Sequence, residues 1–131
     1  MLTETQYAIE VLSILNFIII GLSHIFHRAA WAEFFIKLHS LGASGVFAHG
    51  FLSLIGGTLI VAFHNVWSGI PMILTVIGWL YVGKSVVTFL FPSLGLKSLA
   101  QVSAYNTHIF IVPGIVMIAV GLLLSWNLWL S

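Results

Sequence analysis

The chain has 131 residues, of which 60% are hydrophobic, 14% aromatic and only 5% charged, whereas soluble domains carry about a quarter charged residues. With four Lys+Arg and three Asp+Glu it can neither keep a water-exposed surface wetted nor build a nucleic-acid footprint. The lack of cysteine excludes a disulfide scaffold, a thiolate metal site and a cysteine nucleophile, which leaves an integral membrane protein.

A membrane-crossing helix takes about 20 mostly apolar residues, and the chain supplies four such runs. Closed barrels need alternating strands of about ten residues, and no such alternation is visible. The predicted class is therefore all-α, a four-transmembrane-helix bundle in one domain over residues 1–131. Span one covers about residues 6–26. At about 100° per residue, Gln6, Glu10, Ser13, Asn16, His24 and His27 fall on one side of it, a polar stripe running through the membrane. Glu10 in hydrocarbon needs a partner or a proton, and Asn16 is the expected partner. The stretch HRAAWAEFFIKLHS follows (27–40), with Trp31, Phe34, Phe35 and Leu38 at helical spacing and Glu33 and Lys37 as an i,i+4 pair. It predicts a short interfacial helix between spans one and two.

Span two covers about 41–63 and carries Gly42, Gly45, His49, Ser53 and Gly56 on one stripe, where small residues let another helix approach closely. A tight hairpin, His64-Asn65, leads into span three at about 66–91, with Trp67 and Pro71 at its start. Here His64 reads as a turn and capping residue. Pro71, Thr75, Gly78 and Ser85 share a face, with Lys84 about a quarter-turn away. Phe91-Pro92 ends the span, and SLGLKSLAQVSAYN reads as a polar, turn-forming connection to span four at about 105–129. In that span Thr107, Gly114 and Gly121 recur every seventh residue as a close-packing seam.

Arg28, Lys37, Lys84 and Lys97 all fall at the end of the bundle that holds the first and third loops, and the other end has no Lys or Arg. The positive-inside rule then predicts those loops to be cytoplasmic and both termini periplasmic or extracellular, as expected of a bacterial inner-membrane protein. Met1 is followed by Glu4 with no basic region, so no cleaved signal peptide is expected.

The chain is rich in histidine. Of the six, His24, His27, His39, His49 and His108 lie at the same end as Lys84, and only His64 lies opposite. Neutral imidazole binds zinc, copper, nickel and haem iron and relays protons. His24, His49 and His108 are therefore the candidate metal ligands, with Glu10, Asn16 and Lys84 extending a polar path. Each also has a structural reading. His27 and His39 sit at headgroup level, a single histidine can hydrogen-bond across helices, and Lys84 can snorkel.

The stretch HNVWSGIPMILTVIGWLYVGKSVVTFLFP (64–92) resembles a pattern in small uncharacterised bacterial inner-membrane proteins of four predicted spans. There a hairpin His-Asn-x-Trp leads into a helix with Gly-Trp, then Lys, then a closing Pro. The matching positions are His64, Asn65, Trp67, Gly78, Trp79, Lys84 and Pro92, and GLSHIFHRAAWAEFF (21–35) is loosely similar. The resemblance implies a polytopic bacterial membrane protein and carries no activity.

No H-E-x-x-H, G-x-S-x-G, P-loop or Rossmann fingerprint is present, and three acids fall short of a di-iron bundle. No residue is singled out as catalytic. The leading expectation is a homo-oligomeric bundle with a histidine-lined polar site for a metal ion, cation or proton. The alternatives are a non-catalytic subunit of a membrane complex and a haem-b or quinone-binding protein.

Overall fold

A computed structural model describes all 131 residues, Met1–Ser131, and contains helices and no strand. The first helix, α1 (Glu4–Phe26), opens on a capping box. The Thr3 hydroxyl accepts from the Gln6 N–H at 3.1 Å and the Gln6 amide oxygen accepts from the Thr3 N–H at 3.0 Å, satisfying donors that a helix start leaves free. A single residue, His27, separates it from α2 (Arg28–Ser40). Gly42, at φ 64°, supplies the left-handed backbone that ends α2 and admits α3 (Ala43–Phe63). The remaining helices are α4 (Met72–Leu90), α5 (Pro92–Ala100) and α6 (Ile111–Leu130), the last entered through a 3-10 turn at Thr107–Phe110. Four stretches are long and apolar enough to cross a membrane: Glu4–Phe26, Ala43–Phe63, Met72–Leu90 and Thr107–Leu130.

The four spans pack as two tight antiparallel pairs, α1 with α6 and α3 with α4. Glycines make each pair close. A Cβ added at Gly21 would stand 2.8 Å from the Gly114 carbonyl oxygen, and one at Gly114 would stand 2.8 Å from that of Gly21. Between α3 and α4, Gly57 faces Tyr81 and Gly78 faces Ile60, in the same antiparallel register. Side chains from all four spans meet between the pairs, where Ile9, Phe17, Ile60, Leu74 and Leu124 form the main core. A second cluster, Leu38, Val46 and Leu99, ties α2 and α5 to α3 at the end where those short helices lie. The outward faces carry exposed Ile19, Ile55, Leu80 and Leu122, the surface that acyl chains cover.

Several local expectations are corrected. Span three begins at Met72, so the connection after α3 is the irregular segment 64–71 rather than a two-residue turn. His64 leaves the helix at φ −140°, Gly69 turns the chain at φ 67°, and Pro71 caps α4. The stretch after Phe91 is helical because Pro92 occupies the first helical turn, where its missing N–H costs nothing. Glu33 and Lys37 make no ion pair, and the chain's one acid–base contact joins Glu10 to His64. Gly56 is not a packing glycine: a Cβ there meets nothing within 4 Å. The close approaches in α3 fall instead at Gly45, against the Leu38 backbone, and at Gly50 and Gly57, against α4.

Candidate functional site

Because α1 packs on α6 and α3 on α4, the facing sides of α1 and α3 touch little and leave a cleft between the pairs. Its cavity is about 380 Å³. Most of its wall is apolar, with Leu12, Phe17, Leu52 and Leu59 along its length. Ser13 and Asn16 from α1 and Ser53 and Gly56 from α3 line its middle. Gly56 matters here because the missing side chain is part of the space.

The end closed by α2 is aromatic and polar. Trp31 and Phe35 reach up from α2, and His24, His49, Tyr81 and Lys84 converge from three spans. The His24 ring lies 4.2 Å from that of Trp31, centroid to centroid, and 5.6 Å from Phe110. Its Nδ1 faces the Ile20 carbonyl at 2.9 Å, and since a carbonyl only accepts, Nδ1 carries a proton and donates it. The Trp31 indole donates to Ser23 Oγ at 2.9 Å, which holds the ring over the cleft. His49 meets the edge of Phe35 at 5.2 Å, and Phe35 stacks on Phe110 at 5.4 Å. No Asp or Glu lines the cleft, so Lys84 and the two imidazoles face it without an acid.

Of the three candidate metal ligands, the fold brings His24 and His49 to this cleft, each packed on its own aromatic partner. His108 sits exposed on the 3-10 turn and is not part of the lining. No group of three or more His, Cys, Asp or Glu side chains converges to hold a metal ion. Depth along the membrane brings the three histidines to one end, but His108 does not join the other two at the cleft wall.

The polar path divides as well. Asn16 gives its amide proton to the Leu12 carbonyl one turn back, at 2.8 Å, and is not the partner of Glu10. Glu10 instead faces His64, Oε1 to Nε2 at 3.4 Å, with both side chains wholly enclosed. Thr75 of α4 completes this cluster: its hydroxyl donates to the His64 carbonyl at 3.0 Å, accepts from the Val66 N–H at 3.0 Å and lies 3.2 Å from His64 Nδ1. His64 does cap α3, its N–H bonding the Ile60 carbonyl, but its ring is also a buried bridge between α1 and α4, beyond the turn and capping role expected of it. A signal for this contact was present in the sequence. Glu10 lies near the start of span one and His64 at the end of span two, and antiparallel spans bring those ends to the same level.

No protein-family model matches this chain, and no curated protein or solved structure matches it either.

Proposed function

We propose that this is a small integral membrane protein that binds a lipid-soluble molecule with acceptor oxygens at its polar end, the class that includes quinones and lipid acids. The observation that carries the reading is the cleft's own composition. It has an apolar length open between two helix pairs, and at one end Lys84, His49 and His24 with no carboxylate beside them. An ammonium facing a cavity without an acid favours an anionic or acceptor ligand over a metal cation. Trp31 and Phe35 supply flat faces for a ring or an acyl chain at the same level. A pocket of this size and make-up, mostly apolar with a few convergent polar groups, has the usual form of a small-molecule site.

The bias of Arg28, Lys37, Lys84 and Lys97 supports a cytoplasmic position for the polar end of the cleft, with the termini outside, in a bacterial inner membrane. Native mass spectrometry of protein released from membrane nanodiscs tests the binding. The expected result is an adduct that solvent extraction identifies as a quinone or a lipid acid, and that is lost in Gly56→Phe, whose ring would occupy the cleft. Bare protein mass for the unmutated chain, or an adduct that Gly56→Phe retains, would overturn the reading.

A further inference from the structure

Glu10 and His64 are enclosed to 0% exposure, outside the cleft, and the binding reading above makes no use of them. Glu10 Oε1 and Oε2 and His64 Nε2 close no hydrogen bond. Their separation of 3.4 Å is about half an ångström longer than an ordinary hydrogen bond. Such groups do not persist unpaired in an apolar interior, and Ile9, next to Glu10, and Leu74, next to Thr75, belong to the main core. The protons between them can be counted from Thr75.

A threonine hydroxyl has one proton to give and two lone pairs to receive. Thr75 gives that proton to the His64 carbonyl and receives the Val66 N–H. Toward His64 Nδ1 at 3.2 Å it therefore has only a lone pair left, so Nδ1 must carry the proton of that contact. If Nδ1 is protonated and the ring is neutral, Nε2 is a bare lone pair pointing at a carboxyl group. A bare nitrogen facing an ionised carboxylate would set two acceptors against each other in a dry interior. The contact closes only when one further proton lies between Nε2 and Oε1. It reads as a carboxylic acid donating to the imidazole, or as an imidazolium donating to a carboxylate. Both descriptions hold the same proton and leave the pair neutral overall.

We propose that Glu10, His64 and Thr75 form an intramembrane proton-binding site, in which Thr75 sets the imidazole tautomer and one bound proton is shared between Glu10 Oε1 and His64 Nε2. No other charge competes for it nearby. The other titratable side chains of α1 on this side, Glu4 and Tyr7, are exposed. His49 of α3 and Tyr81 and Lys84 of α4 line the cleft, and α6 has no titratable side chain. Ser13, one turn along α1 from Glu10, is buried and lines the cleft, so the site lies one helical turn from the cavity wall.

The test counts protons directly, by nuclear magnetic resonance of the unmutated protein in lipid bilayers with nitrogen-labelled histidine and carboxyl-labelled glutamate. All three acids are glutamates, and the exposed Glu4 and Glu33 are assigned through the surface changes Glu4→Gln and Glu33→Gln, which leaves Glu10. The His64 resonances are those that shift in Thr75→Val or in Glu10→Gln, whose amide can donate to a bare Nε2. The expected result is a His64 ring protonated at Nδ1 together with one proton in the pair, seen either as a protonated Glu10 carboxyl or as a doubly protonated His64. A neutral His64 protonated only at Nε2, or an ionised Glu10 beside a neutral ring, would overturn the proposal. Neither readout depends on whether the cleft holds a ligand, so failure here and failure of the binding reading are separate results.

Discussion

Glycine has opposite meanings at different positions on these helices. At Gly114 a side chain would run into the Gly21 carbonyl and the Ile25 side chain, so Gly114→Leu must spread α1 from α6. Overpacking of this kind costs about 1–3 kcal/mol, and the expected outcome is a clearly lowered thermal midpoint in detergent. Gly56→Leu points into open cleft and should leave the midpoint near the parent's, a stability change within about 0.5 kcal/mol, as surface changes do. Equal losses for the two variants would show that the cleft between α1 and α3 is closed. The sequence placed Gly56 on a small-residue stripe, but a stripe names a face without naming what faces it. Thr75 can be tested in the same assay. Thr75→Val keeps the shape while stranding the His64 carbonyl and the Val66 N–H, a loss of about 1–3 kcal/mol for buried groups left unpaired.

Among the elements, the segment 64–71 links the two helix pairs. It begins with His64 at the end of α3, where Thr75 and Glu10 hold the ring, and so ties the α3–α4 pair to α1. Gly69 makes the turn at φ 67°, a conformation that costs an L-residue about 1–2 kcal/mol. Gly69→Ala should lower the stability by that amount, read as a lowered thermal midpoint. Gly83→Ala is the control: it lies in an exposed stretch of α4 where a Cβ meets nothing within 4 Å, and it should be neutral or gain about 0.5–1 kcal/mol from helix propensity. The reverse order would place the 64–71 path elsewhere. At the opposite end α2 is an element that the sequence makes plain, because Trp31, Phe35 and Leu38 recur at helical spacing. That α2 forms the floor of the cleft depends on contacts to Phe110 and Val46, which come from α6's entry turn and α3.

For the whole molecule, the cation-bearing end and the end with both termini lie on opposite sides of the bundle. If the cation-bearing end is cytoplasmic, single cysteines at Thr3 or Ser131 should react with an impermeant thiol reagent in intact cells, and one at Ser98 should not. The opposite pattern would invert the proposed orientation, putting the cleft's polar end outside and the Glu10–His64 pair on the inner side.

Span number, helical class and the level of each polar residue in the membrane follow from the sequence alone. They depend on length, hydropathy and order, which are properties of a chain read in one dimension. That is why the four spans and the helix over 28–40 match the structure, and why five histidines could be assigned to one end. The azimuth of each helix is a different matter, because it is set by which neighbour a face packs against. Only the pairing of α1 with α6 and α3 with α4 decides that Gly21 meets Gly114 and that Gly56 faces open space. The same pairing turns His108 away from the cleft and brings Glu10 to His64 instead of Asn16. A pattern of polar residues marks the faces that avoid lipid, and close packing between particular helices determines which of them meet.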